Sequence, residues 1–172
     1  DCNIELNETK GLEKLTTLAE KLTKCPRSHF EPYNIIQYNV ESYYKYHTDS
    51  CNPYNENTYK ICNDTIKQHG GRQYTMIVYL NNNYVGGETH FPEIETTIKR
   101  PTGSIVLFEN FKDDFETIKN SIHAGTPVIG GMKWVLKLWI RNKTFDPQHK
   151  IIVKQNVDDD IESIDDIESI DS

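Results

Sequence analysis

The run from Lys133 to Arg141, K-W-V-L-K-L-W-I-R, constrains the fold more than any other stretch of this chain. It reads as a strand, and its side chains alternate. Lys133, Val135, Lys137 and Trp139 share one face, and Trp134, Leu136, Leu138 and Ile140 share the other. Just upstream, Ser121–Met132 holds a single histidine, His123, followed by Gly-Thr-Pro and Gly-Gly. So short and turn-rich a connection predicts that His123 and Lys133 lie side by side on neighbouring strands. A potential metal ligand next to a cation suggests a site for an anion that also touches the metal.

Further ligands are available in Y-Y-K-Y-H-T-D-S, which places His47 and Asp49 two residues apart. On a strand such residues point the same way, so an imidazole and a carboxylate converge. Two histidines and one carboxylate with open positions make the facial triad of non-haem Fe(II) oxygenases. An H-x-D pair alone is a weak signal. Followed by H-x-G-x-P-V-x-x-G-x-K-W it is far more specific.

Taken together, Tyr38, H-T-D (47–49), R-Q-Y-T-M-I-V-Y-L-N (72–81), G-G-E-T-H-F-P (86–92), P-T-G-S-I-V-L-F-E-N (101–110) and H-A-G-T-P-V-I-G-G-M-K-W (123–134) resemble the prolyl 4-hydroxylases. These belong to the Fe(II)/2-oxoglutarate-dependent dioxygenases. The resemblance covers roughly residues 33–142, in the family's order. It implies that His47, Asp49 and His123 ligate Fe(II) and carry catalysis. It also implies that Lys133, with Tyr38, Thr75 and Trp139 around it, holds the 2-oxoglutarate cosubstrate. Dioxygen is the second cosubstrate, ascorbate restores oxidised iron, and the products are hydroxyproline, succinate and carbon dioxide.

Composition bounds the remainder. The formal charge is −7, but residues 158–172 carry eight acids and no base; without them 18 acidic residues face 19 basic ones. The acidity therefore belongs to a tail and gives no reason to expect a nucleic-acid partner. A chain of 172 residues fits one domain. We expect residues 1–150 to form the catalytic domain, with a support helix at 8–24 and a jelly-roll core at 33–142. Residues 151–172, which repeat D-D-I-E-S-I, form an acidic low-complexity tail that should not pack a core by itself. No apolar run is long enough to span a bilayer. The chain begins at Asp1, so processing is expected and an upstream signal or anchor stays open. Cys2, Cys25, Cys51 and Cys62 allow three pairings. Of these, Cys51–Cys62 is expected in an oxidising compartment, because both lie in one polar stretch. N-x-T sequons at Asn7, Asn63 and Asn142 suit a secretory or extracellular route, without excluding the cytoplasm.

Along the chain, Leu12, Leu15, Leu18, Ala19 and Leu22 recur at helical spacing, and Pro26 ends that helix. Residues 33–40, 42–49 and 72–80 read as strands, 104–109 as an apolar core strand, and Gly86-Gly87 as the opening of another strand. Residues 50–71, rich in Asn, Gly and Pro, read as a long loop able to close over a peptide. His29, His69 and His149 show no partner pattern, and His90 reads as structural. So many strands, with little helix after residue 24, predict a mainly β fold with a supporting N-terminal helix. The specific form is an antiparallel double-sheet jelly roll, the double-stranded β-helix. Tyr44, Tyr54 and Tyr59 are candidates to line a substrate groove for a proline-containing peptide, since extended proline-rich segments suit aromatic walls. Collagen-like repeats are one candidate substrate and other proline-rich segments another. Two readings compete: a related dioxygenase acting on another residue, and a peptide-binding module of the same fold without turnover. The sequence does not specify an oligomeric state.

Overall fold

The computed structural model describes residues 2–147. The expectations for the acidic tail and for His149 lie outside that range. Eleven strands and two α-helices follow one another as β1 (Cys2–Ile4), α1 (Lys10–Thr23), β2 (Tyr33–Tyr38), β3 (Tyr44–His47), α2 (Glu56–His69), β4 (Arg72–Tyr79), β5 (Tyr84–Gly86), β6 (Thr89–Phe91), β7 (Thr96–Ile98), β8 (Ile105–Glu109), β9 (His123–Gly125), β10 (Val128–Gly131) and β11 (Lys133–Arg141). One sheet runs β1-β2-β11-β4-β8 and a second runs β3-β9-β6-β7; β5 and β10 form a two-stranded ribbon. Every named pairing is antiparallel. This is the mainly β, double-stranded β-helix architecture that the strand pattern predicts.

β11 lies at the centre of the larger sheet, between β2 and β4. Its two faces meet different interiors. Leu136, Leu138 and Ile140 pack with Met76, Val78 and Tyr33 and with Leu12 and Ala19 of α1. Val135 packs on the opposite side with Ile36, Tyr38, Ile77 and Tyr79. Period-two alternation in β2, β4 and β11 thus builds two cores from one sheet.

Helix α1 starts at Thr9, whose hydroxyl accepts from the Leu12 amide at 3.2 Å, and ends at Lys24 in the left-handed region, φ 61°. Its buried stripe is Leu12, Thr16, Ala19 and Thr23. Leu18 and Leu22, expected on the apolar face, are instead exposed. Threonines can take those buried places because their hydroxyls bond back to the helix: Thr16 to the Leu12 carbonyl at 2.9 Å and Thr23 to the Ala19 carbonyl at 2.8 Å.

Four further expectations are corrected. The stretch 50–71 is not one long loop, because Glu56–His69 is a helix capped by the Asn55 side chain on the Thr58 amide. Its apolar stripe is short, with Tyr59, Cys62 and Ile66 packed on Phe111 and Phe115. A disulfide from Cys62 to Cys51, the expected pair, fastens it. The apolar run at 104–109 forms the edge strand β8, half-buried throughout rather than fully enclosed. Gly86 closes β5 instead of opening a strand, and both glycines have positive φ, 71° and 65°. A side chain on Gly86 would collide with the Pro127 carbonyl, and one on Gly87 would crowd Val128 and the stem of Lys133. Finally, β9 and β11 are not neighbours: they belong to different sheets, with the β10 ribbon between them in sequence.

Candidate metal and cosubstrate site

Because β9 and β11 sit in separate sheets, His123 and Lys133 approach one cavity from different sides instead of along a shared strand edge. Tyr38, Tyr44, His47, His123, Lys133 and Lys137 are among the residues lining that cavity. His47 ends β3 and pairs in register with His123 at the start of β9. Asp49 falls just beyond the end of β3 and still converges on both rings. The ligand atoms of these three residues lie within 4.8 Å of one another. His47 Nε2 is 3.7 Å from Asp49 Oδ1, and His123 Nε2 is 3.9 Å from Asp49 Oδ2.

The local chain orients each ring. Nδ1 of His47 bonds the Lys45 carbonyl at 2.8 Å, and Nδ1 of His123 bonds the Ser121 carbonyl at 2.9 Å. A carbonyl accepts only, so each Nδ1 carries the proton and each Nε2 presents a lone pair toward Asp49. Both Nε2 atoms are buried without a hydrogen-bond partner. Two buried orphan lone pairs beside a carboxylate fit a divalent metal with open positions. Burial, together with the neighbouring charge of the other histidine, holds His47 well below its ordinary pKa; burial also lowers His123, although Asp49 opposes it. Burial works against the charge on Asp49, but Lys137, His123, His47 and Arg72 outweigh it and keep the carboxylate ionised. The trio is therefore in its ligating protonation state.

Thr75 donates to Asp49 Oδ2 at 2.7 Å and accepts from Asn110 Nδ2 at 2.9 Å. Its hydroxyl is committed to the carboxylate ligand, so the expected role on the cosubstrate gives way to positioning Asp49. Trp139 also departs from expectation: its ring carries the Arg72 guanidinium at 3.6 Å, and it does not line the cavity. Arg72 is held in turn by Glu31, which also pairs with Arg141 at 3.0 Å.

Lys133 is 4% exposed, and its Nζ lies 5.0 Å from the centroid of the Tyr38 ring. Burial and the nearby charge of Lys137 lower its pKa to about 8, with Glu88 partly opposing. Tyr38 is buried and its hydroxyl is driven far toward the neutral form by that burial. It can donate a hydrogen bond but does not supply an anion for Lys133.

Among the groove candidates, Tyr44 is half exposed and packs edge-on to His47 with centroids 4.2 Å apart. Tyr54 reaches Glu93 with its hydroxyl, and Lys119 lies over its ring at 5.1 Å. Tyr59 is a packing residue: it sits in the α2 cluster, and its hydroxyl accepts from the Thr117 amide at 3.2 Å. His90 bonds the Tyr46 hydroxyl at 2.7 Å, in keeping with a structural part, and His29 bonds the Arg141 carbonyl at 3.0 Å. Sequence reasoning passed over Lys137 and Asn110. Lys137 carried a signal, a second cation on the face of Lys133; Asn110 carried none, since its partner is 35 residues away.

Residues 33–141 match the family model of the 2OG-Fe(II) oxygenase superfamily. An Acanthamoeba polyphaga mimivirus protein assigned by name to the prolyl 4-hydroxylases is 33% identical over 121 residues, covering 70% of this chain and 48% of that protein. Prolyl 4-hydroxylase 1 of Arabidopsis thaliana is 29% identical over 134 residues, covering 70% and 44%. The chain thus spans about half the length of these relatives. The solved structure of a viral collagen prolyl hydroxylase from Paramecium Bursaria Chlorella virus-1, in its 2OG complex, superimposes with a TM-score of 0.65 at 24% identity. That match covers 81% of this chain and 77% of the other. At that identity the likeness speaks for the fold alone.

Proposed function

Because the chain belongs to the 2OG-Fe(II) oxygenase superfamily, we propose that it is a peptidyl-proline 4-hydroxylase. It would use Fe(II), 2-oxoglutarate and dioxygen, and release succinate and carbon dioxide. The observation that carries this reading is the meeting of His47, Asp49 and His123 in one cavity with Lys133, which is buried and makes no ion pair among the described residues. Iron(II), when bound, supplies the redox chemistry that couples loss of carbon dioxide from 2-oxoglutarate to hydroxylation of a C–H bond.

The side chains do the binding and orienting. His47 and His123 offer Nε2 lone pairs, fixed by the Lys45 and Ser121 carbonyls. Asp49 offers a carboxylate held by the Thr75 hydroxyl, which Asn110 holds in turn. The Lys133 ammonium pairs with the far carboxylate of 2-oxoglutarate, a charge-assisted contact strengthened by exclusion of water. Tyr38, at the same end of the cavity, donates its hydroxyl to that carboxylate. Ascorbate is the reductant that would keep a bound metal as Fe(II).

Proline as the target rests on the relatives named prolyl 4-hydroxylases and on the exposed groove candidates Tyr44, which lines the cavity, and Tyr54. An extended proline-rich segment offers rigid rings to exposed aromatic side chains at low entropic cost. Collagen-like repeats fit this description, as do other proline-rich segments. The Cys51–Cys62 bond favours an oxidising compartment, and hence a secretory route. The test is to incubate the purified protein with Fe(II), 2-oxoglutarate, ascorbate and a panel of proline-containing peptides in air. The expected result is a peptide heavier by one oxygen, located on proline, with matching succinate. Peptide-dependent succinate with oxygen on another residue would redirect the assignment within the superfamily. Peptide binding without succinate would make the chain a recognition module.

A further inference from the structure

Two ammonium groups point inward from β11, and the proposed function gives work to only one. Lys137 is 5% exposed and lines the same cavity as Lys133, His47 and His123. Among the described residues its Nζ makes no hydrogen bond and no ion pair. Rings surround it instead: the Tyr44 centroid lies at 5.3 Å and the Trp139 centroid at 5.2 Å. Such rings offset only part of the cost of burying an ammonium without a charge partner. The carboxylate of Asp49 acts on Lys137 only through space, because its oxygens face the histidine Nε2 atoms and the Thr75 hydroxyl. Among the described residues no carboxylate forms an ion pair with Lys137, so this corner can accept an added anion.

Position says which anion. Lys133 stands opposite Tyr38, and Lys137 stands opposite Asn34 and Ile77. Four residues of strand separate their stems by roughly 13 Å, a span that two long flexible side chains reaching into one cavity shorten. Lys137 lies at the metal-ligand end, over the Tyr44 ring that packs against His47. We propose that Lys137 is the second anion contact of this pocket. It takes the carboxylate adjoining the keto carbon of the 2-oxo acid, while Lys133 takes the far one. The inference rests on the assignment of 2-oxoglutarate as cosubstrate. It makes Lys137 a specificity residue for the 2-oxo acid head group.

Three probes separate the two contacts. 2-Oxoglutarate has both carboxylates, 2-oxopentanoate has only the one beside the keto carbon, and levulinate (4-oxopentanoate) has only the far one. Each is titrated by calorimetry into the manganese(II)-loaded wild type, Lys137→Met and Lys133→Met, with levulinate in competition format. Manganese affinity is measured separately for all three proteins. Lys137→Met is expected to weaken 2-oxoglutarate and 2-oxopentanoate about tenfold or more and to leave levulinate and manganese unchanged. Lys133→Met is expected to weaken 2-oxoglutarate and levulinate and to spare 2-oxopentanoate. If Lys137→Met does not fold, Lys137→Gln takes its place with the same expectation. A wild type that binds 2-oxoglutarate, with a Lys137→Met that holds 2-oxopentanoate equally well, overturns the inference and leaves the proposed function standing. Equal weakening of all three probes together with manganese shows that Lys137 acts only through Asp49, and also overturns it. A wild type that binds none of the three overturns the proposed function and this inference with it.

Discussion

The two faces of β11 are equally buried and energetically opposite. On the outer face Leu136, Leu138 and Ile140 are 3%, 0% and 0% exposed; on the inner face Lys133, Val135 and Lys137 are 4%, 2% and 5%. Each outer side chain stabilises the fold by about 1.5–3 kcal/mol through apolar burial. Each inner lysine works against the fold, because its ammonium leaves water without an ion-pair partner among the described residues. The same strand therefore carries the scaffold on one side and the site on the other. Burial by itself does not say which side contributes stability.

Substitutions can break this comparison from either side. The largest effect is expected at the metal ligands. His47→Ala, Asp49→Ala or His123→Ala should reduce peptide-dependent succinate formation to the level of metal-free protein while circular dichroism stays native, because these side chains serve an open site. A chelator should reproduce the loss in the wild type, with recovery on adding Fe(II). Next comes Lys133→Ala, which should cost about 2–5 kcal/mol of 2-oxoglutarate affinity with metal binding unchanged, read by calorimetry. Since the contact is made in ground and transition states alike, the cosubstrate requirement should rise more than the maximal rate falls. Lys133→Arg should also bind less well, as a planar fork replaces a compact ammonium.

The outer face should respond in the opposite way. Leu138→Ala should lower unfolding free energy by about 2–5 kcal/mol and leave the activity of the folded fraction intact, which denaturant titration and kinetics on one preparation will decide. Smallest is Thr9→Ala, at about 1 kcal/mol for the lost cap of α1. That change lies on the helix covering the outer core, so cosubstrate affinity should not move.

Much of this division was legible in the sequence, for reasons that differ by element. The alternation in Lys133–Arg141 predicted both faces, because a strand's period does not depend on its partners. The placing of His47, Asp49 and His123 in one cluster followed from their resemblance to a known motif, and the orphan Nε2 atoms give that cluster a physical basis. Helix α2 was hidden, since its stripe of Tyr59, Cys62 and Ile66 is short and Asn and Asp interrupt it. Its stability comes from the Phe111 cluster and the disulfide, both of which depend on the fold. For Thr75 and Trp139 the face is readable from the strand, but not the neighbour that the side chain meets. Asp49 claimed the threonine hydroxyl, and Arg72 claimed the indole face.

The depressed pKa of Lys133 sharpens the contrast further. It falls from its ordinary 10.5 to about 8 on folding, so between those values the unfolded chain holds a proton that the folded chain has released. Stability of the metal-free protein should therefore rise with pH across that window, and Lys133→Met should remove the share of the rise that Lys133 contributes, leaving that of Lys137. Binding of the dicarboxylate carries the opposite sign, because it needs the ammonium. The most direct test is the affinity of manganese-loaded protein for 2-oxoglutarate, measured by calorimetry from about pH 6 to about pH 10. The account predicts a plateau up to about pH 8 and then a fall that approaches about tenfold per pH unit as the Lys133 ammonium is lost. An affinity that stayed level to the top of the range would contradict it, since no buried ammonium would then be holding the cosubstrate.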